Sequence, residues 1–301
     1  MLMKAVDSYL AVRRAAGFEL KKQEYLLRSF TRFASVRGDE YITTPTVMDW
    51  ASQIETPRYR LEVVVPFARY LQAEDERHEV PPSRVFGPRP SRRIPFIFSQ
   101  DELNRLFQAA MRLEPLDSLR PHTYTTLFAL LAVTGLRISE ALNLRFEDVT
   151  ADGLVIHRTK FQKSRLVSLH ETTEAGLQRY LERRKRTAAT DNHVFVSLRE
   201  RGLSRNAVFE TFDKLRKSTG LDRGRGTGRR PRIHDLRFSF AVRALETCPE
   251  GRDNVGRHML ALSTYMGHTS IRYTYWYLQA TPHLMRDIAQ ACDSFLKAGA
   301  P

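Results

Sequence analysis

The sequence predicts a mainly α-helical chain of two domains, the second carrying one small β-hairpin. Three observations carry that expectation. Apolar residues recur at helical spacing in both halves, a proline- and arginine-rich stretch divides them at 81–95, and residues 153–169 alternate and turn as a hairpin does. A length of 301 residues suits two domains that each bury a core. A hydrophobic fraction of 42% with 10% aromatics fits a globular chain rather than a disordered one.

Ala5, Val6, Tyr9 and Leu10 share one face of a helix over 4–16, and Tyr25, Leu26, Phe30 and Phe33 are expected to do the same for a second. Thr46 is placed to cap a third helix bearing Val47, Met48, Trp50 and Ala51. A fourth runs from Arg58 to Ala73 through Leu61, Val64, Val65, Phe67 and Leu71. These four helices, within residues 1–80, make a small bundle whose tryptophan and aromatics are expected to be core.

The stretch PPSRVFGPRPSRRIP (81–95) holds five prolines and four arginines, including Arg89, Arg92 and Arg93. Proline lacks a backbone donor and restricts the residue before it, so this reads as an extended linker over 81–98. Its arginines are suited to a DNA groove or to solvent. Ser99 and Glu102 then form a capping box ahead of Leu103, Leu106 and Phe107, which opens the second domain at residue 99. Further helices are expected at 121–133, 139–144, 171–188 and 203–219, with Gly153–Arg158 and Arg165–Leu169 as the hairpin arms. The segment DRGRGTGRRPR (222–232), with Arg225, Arg229 and Arg230 among its five arginines, reads as a basic loop. Leu284, Ile288, Cys292, Phe295 and Leu296 give the terminal stretch 281–301 an apolar face, for packing in cis or on a neighbouring subunit.

The formal net charge of +14 points to a polyanionic partner. Residues 1–95 carry 16 Lys and Arg against 12 Asp and Glu, so the excess is not confined to one end. The two cysteines, Cys248 and Cys292, have no CxxC or CxxH spacing, which argues against a disulfide scaffold or a zinc site and for a reducing cytoplasm. The longest apolar run, Leu127 to Val133, is far too short to span a bilayer, so no membrane is expected.

Six residues in four short contexts carry the chemistry: Arg137 in TGLRISE (134–140), Lys160 in TKFQKSR (159–165), His234 and Arg237 in HDLR (234–237), and His268 and Tyr277 in GHTSIRYTYWY (267–277). Metal-free attack on a phosphodiester needs fixed positive charge and several donors on the non-bridging oxygens. Arginine suits this because its fork donates two bonds at once and keeps its charge. Arg237 lies three residues after His234, on the same face of a helix. A lysine at a hairpin tip can protonate a leaving oxygen, but Lys160, Lys163 and Arg165 share that turn and the residues alone do not choose among them. Tyr273, Tyr275 and Tyr277 are equally open as nucleophile, each needing a base or strongly positive surroundings because a phenol titrates near about 10. His268 and Tyr277 would face opposite ways on an unbroken helix, so a shared site requires a break, for which Thr269 and Ser270 are plausible caps.

Taken together and in this order, these contexts resemble the tyrosine recombinase (phage integrase) family, by motif over 99–280 and by helical arrangement over 1–80. The resemblance implies an N-terminal four-helix, SAM-like core-binding domain and a C-terminal catalytic domain that together clamp a duplex. It implies that Tyr277 attacks the scissile phosphate to form a 3′-phosphotyrosyl enzyme, needing no cofactor, ATP or metal. Arg137, Arg237 and His268 would stabilise the phosphate, His234 would accept the phenolic proton, Lys160 would act as general acid, and Glu140 would orient the catalytic groups. The family often flanks its hairpin lysine with glycine where this chain has Thr159 and Phe161, which leaves Lys163 as a rival. The implied partners are double-stranded DNA with specific recombination sites, further copies of the chain as a tetramer on two sites, and a partner recombinase or DNA-bending protein. Type IB topoisomerases share the chemistry but usually lack a histidine at the position of His234. An accessory DNA-binding protein of the same fold would not depend on Tyr277.

Overall fold

A computed structural model of the chain describes residues 2–82, 85–87, 93–157, 164–187, 191–221, 230–247 and 252–278. They form two compact units, divided between Arg92 and Arg93.

The first unit is four helices: α1 (Leu2–Ala15), α2 (Lys21–Val36), α3 (Thr44–Ser52) and α4 (Pro57–Gln72). Val6, Leu10, Leu27, Phe30, Trp50, Val64 and Phe67 fill the space between them. Trp50 meets Phe30 edge-on with ring centroids 5.4 Å apart, and Arg60 covers its other side. Two details differ from the sequence expectation. The buried face of α2 runs through Leu27, Phe30, Thr31 and Ala34, while Tyr25 is 73% exposed. A stripe anchored on Leu27 keeps the i, i+3, i+4, i+7 spacing, whereas one anchored on Tyr25 does not. The cap of α3 is Thr43, whose side chain accepts from the Thr46 backbone N–H at 3.4 Å. Thr46 is instead buried and donates to Asp39 Oδ2 at 2.6 Å. Pro45 is the local reason, because proline is tolerated in the first turn of a helix and so sets the cap just before it.

The second unit is α5 (Gln100–Ala110), α6 (Arg120–Thr134), α7 (Ile138–Leu142), a 3₁₀ turn at Phe146–Asp148, β1 (Val149–Thr150), β2 (Gly153–Ile156), β3 (Arg165–Val167), α8 (Glu171–Lys185), α9 (Arg205–Ser218), α10 (Ile233–Glu246), α11 (Arg252–Tyr265) and α12 (Arg272–Leu278). Ser99 and Glu102 cap α5 reciprocally, as their spacing predicts. The hairpin pairs antiparallel, Leu154 with Val167 and Ile156 with Arg165. A short edge strand, β1, adds to it and makes a three-stranded sheet. Helix α6 is buried along most of its length and forms the spine of the core with Leu127, Phe128 and Leu131. A smaller cluster, Ala241, Leu245, Met259, Leu262, Met266 and Tyr277, joins α10, α11 and α12. The mainly helical fold with one small sheet is as expected. Both cysteines, the hairpin tip at 158–163 and the terminal stretch 281–301 lie outside the described residues. Among the described residues no helix is long and apolar enough to cross a membrane.

Candidate active site

The site begins where α6 stops. Gly135 ends the helix in the left-handed conformation, at φ 61°, which glycine adopts without steric cost. A Cβ there would lie 2.4 Å from Phe240 Cδ1, so close packing on α10 also demands glycine. The chain re-enters a helix two residues later, with Arg137 in the N-cap position of α7. Its backbone N–H donates to Glu140 Oε2 at 2.9 Å and its guanidinium to Glu140 Oε1 at 2.7 Å. Nη2 reaches across the molecule to the Gly267 carbonyl at 2.9 Å.

Arg237 rises from α10 and is almost wholly buried. It donates to the Gly135 carbonyl, to the Met266 carbonyl at 2.7 Å and to His268 Nε2 at 3.1 Å, and its charge acts on the Tyr277 phenol. Since guanidinium only donates, His268 Nε2 accepts, which assigns the ring proton to Nδ1. That Nδ1–H donates to Thr274 Oγ1 at 2.7 Å. The chain breaks between His268 and Tyr277, as their spacing requires: α11 ends at Tyr265, Gly267 turns at φ 65°, and α12 starts at Arg272 with the Arg272 N–H on Ser270 Oγ at 3.4 Å. The break brings the two rings into a stack with centroids 5.8 Å apart.

Position on α12 separates the three tyrosines. Thr274 and Tyr277, three apart, face inward, and Tyr277 is 4% exposed. Tyr273 and Tyr275 are 46% and 53% exposed. Phe238, one turn along α10 from His234, packs edge-on against His234 at 5.3 Å and against Tyr277 at 4.8 Å. His234 itself lies on the exposed side of α10.

Charge is concentrated here. Burial pushes the Glu140 carboxyl up, but hydrogen bonds from Arg165 and Arg137 outweigh it and hold its pKa at about 2. Burial, then Arg237 and Arg137, push His268 down to about 4, so the ring is neutral. Desolvation, with Arg237 next, also holds His234 below the ordinary imidazole value. Burial lowers Arg237 to about 10, still charged at neutral pH. It raises the Tyr277 phenol, with Arg237 and then Arg137 pulling the other way. The neutral His268 ring thus stacks on the Tyr277 phenol, while His234 meets that phenol's neighbour Phe238.

The structure gathers Arg137, Glu140, Arg237, His268 and Tyr277 into one cluster, with His234 at its rim. Lys160, Lys163, Arg89, Arg92, Arg225 and Arg229 lie outside the described residues. Arg93 and Arg230 are exposed, and Arg93 donates to the Arg230 carbonyl. Arg165, grouped in the sequence with DNA contacts, is turned inward: its side chain is 10% exposed and forks onto Glu140 at 3.0 and 2.8 Å. Sequence reasoning missed Thr274 and Phe238. A helical wheel drawn on Tyr277 finds Thr274 on its face, but the partner of Thr274 is set by the turn at Gly267.

A helical domain with a three-stranded sheet, in which the ends of α6, α10 and α11 bring two arginines and two histidines to a buried tyrosine on α12, has the tyrosine recombinase catalytic fold. Residues 97–283 match the phage integrase family. Over 297 residues the chain is 38% identical to y4rB of Sinorhizobium fredii (strain NBRC 101917 / NGR234), named as an integrase/recombinase, covering 94% of each chain. Among solved structures it resembles the Tn1549 transposon integrase in complex with transposon right end DNA (TM-score 0.68, 14% identity, 98% of this chain and 99% of that one). It also resembles a lambda integrase tetramer bound to a Holliday junction (TM-score 0.59, 18% identity, 89% of this chain and 77% of that one). The chain belongs to the phage integrase family of tyrosine recombinases, which are DNA breaking-rejoining enzymes.

Proposed function

We propose that this chain is a site-specific DNA recombinase and that Tyr277 is its nucleophile. The observation that carries the reading is the placement of Tyr277: its ring is buried and stacked on His268 within the field of Arg237, while Tyr273 and Tyr275 face solvent. In the proposed step the Tyr277 oxygen bonds to the scissile phosphorus, the bond to the 5′ oxygen breaks, and a 3′-phosphotyrosyl enzyme remains. Arg137, Arg237 and His268 hold the transferring phosphate, and the charge of the two arginines is fixed before the reaction begins. His234 takes the phenolic proton and Lys160 gives one to the 5′ oxygen, with Lys163 the alternative donor. Glu140 orients Arg137. A 5′-hydroxyl from a second strand then attacks the phosphotyrosine and restores a phosphodiester, so the energy of the broken bond is kept and no ATP is consumed.

The partner proposed is duplex DNA carrying specific sites, and the working assembly is a tetramer on two sites, as in the lambda integrase complex. The net charge of +14 supports a polyanionic partner. Residues 1–80 are proposed as the core-binding domain, 81–98 as linker, 99–280 as the catalytic domain, and 281–301 as a terminal helix that packs in cis or on a neighbouring subunit. Arg89, Arg92, Arg93, Arg225, Arg229 and Arg230 are proposed as backbone contacts.

The test mixes purified protein, in EDTA and without ATP, with duplex fragments flanking its own coding region. An SDS-resistant protein–DNA adduct is expected, abolished in Tyr277→Phe and retained in Tyr273→Phe and Tyr275→Phe. An adduct that instead depends on Tyr273 or Tyr275 sinks the assignment of the nucleophile. Strand exchange between two fragments then separates recombination from simple relaxation.

A further inference from the structure

The turn after α11 presents three consecutive carbonyls to three arginines from three different elements. The Tyr265 carbonyl accepts from Arg165 Nε at 2.8 Å, Met266 from Arg237 Nη2 at 2.7 Å, and Gly267 from Arg137 Nη2 at 2.9 Å. These carbonyls sit at the C-terminal end of a helix, where backbone acceptors lack intrahelical partners and the helix dipole favours cations. Two of the three arginines are proposed above to hold the phosphate, and His268 is the next residue in the chain. The third, Arg165, opens β3 just after the hairpin segment that carries Lys160 and Lys163.

Each nitrogen of the Arg165 guanidinium donates to protein. Its Nη1 and Nη2 take both oxygens of Glu140, at 3.0 and 2.8 Å, and its Nε takes Tyr265. The backbone is shaped to admit it: a Cβ on Gly267 would lie 2.7 Å from Arg165 Nη1 and 2.9 Å from Cζ. Glu140 in turn holds the backbone and side chain of Arg137. We propose that Arg165 is a positioning residue for the phosphate-binding arginines: through Glu140 it sets Arg137, and through the Tyr265 carbonyl it sets the turn that places Arg237 and His268. Its planar fork makes all three bonds at once, which lysine cannot do. The site thus has an internal strut between the root of the hairpin and the end of α11.

This inference rests on the tyrosyl-transfer reading, and the experiment separates the two. Arg165→Lys and Glu140→Gln are compared with wild type in three measurements: thermal unfolding, affinity for a generic duplex over a range of salt, and the rate of adduct formation per bound complex. Both variants are expected to fold and to bind duplex with an unchanged salt slope. Both should form adduct more slowly by roughly 10²-fold, the scale of effect a small misplacement of catalytic groups produces. The double variant should be no slower than the slower single, because the two residues act as one unit. A salt slope reduced by about 0.9 in Arg165→Gln, which removes the charge that lysine keeps, with the rate per bound complex unchanged, overturns the proposal and makes Arg165 a phosphate contact. A wild-type rate in both variants overturns it too. Arginine Nε–H resonances of the DNA-free protein, assigned with Arg137→Lys and Arg237→Lys, give a readout without catalysis. Both signals should move in Arg165→Lys, and both staying in place overturns the proposal. If wild type forms no adduct, the tyrosyl-transfer reading has failed, and these resonances decide the positioning by themselves.

Discussion

At the scale of single residues, the decisive interaction is between His268 and its two neighbours. Arg237 forces the ring to accept at Nε2, and Thr274 takes the proton at Nδ1. Thr274 is fully buried, so replacing its hydroxyl leaves an imidazole N–H with no acceptor in a dry place. Thr274→Val, nearly the same shape, is therefore expected to lower stability by about 1–3 kcal/mol, the cost of an unsatisfied buried polar group. Thr274→Ser keeps the acceptor and should lose less. Urea unfolding of the two variants checks this, and a valine variant as stable as wild type would show that the hydrogen bond carries nothing. The same pair fixes the tautomer and orientation of His268, so adduct formation should fall with valine and recover with serine.

Between elements, the junction of α6 and α7 is a sharp turn held from two sides. Gly135 supplies the left-handed residue that ends α6, and its carbonyl accepts from Arg237. Two residues on, Arg137 leaves for the turn after α11. Gly135→Ala brings a methyl to within 2.4 Å of Phe240 Cδ1 and forces a side chain into the left-handed region. The combined strain and overpacking should cost at least about 2 kcal/mol. Adduct formation should fall further than stability does, because both arginines hang on this junction. A Gly135→Ala protein with wild-type urea midpoint would contradict the packing described here. Much at this scale was legible from sequence: the Ser99–Glu102 box, the gap between the helices at 121–133 and 139–144, and the hairpin all follow from local rules. The strand β1 was not, since two residues carry no periodicity of their own. Nor was the buried face of α2, where Tyr25 and Leu27 compete for the core and packing in the bundle decides for Leu27.

Across the whole molecule, the charged site ties global stability to pH. His268 in the fold titrates at about 4, below the ordinary imidazole value of about 6.5, so the unfolded chain binds more protons between those limits. Stability is therefore lost as pH falls from about 6.5 towards about 4. Glu140, held at about 2, adds a second loss below the ordinary carboxylate range, from about 4.3 downwards. The urea midpoint is expected to drop between pH 7 and pH 5, and His268→Asn should shrink that drop. An equal drop in the variant would assign the acid sensitivity to other groups.

What the sequence by itself determined is local: helices from spacing and caps, a hairpin from alternation, a proline-rich divide, and motif residues dense enough to place the chain in its family. What only the tertiary structure decided is which groups meet. Glu140 and Arg165 are 25 residues apart, Arg165 and Tyr265 are 100, and Arg137 and Gly267 are 130. No local periodicity encodes such pairs, because a hydrogen bond depends on where two backbones arrive in space. The inward turn of Arg165, the partner of Thr274 and the burial of Tyr277 therefore exist only once α6, α10 and α11 have packed and the three carbonyls at the end of α11 are in place.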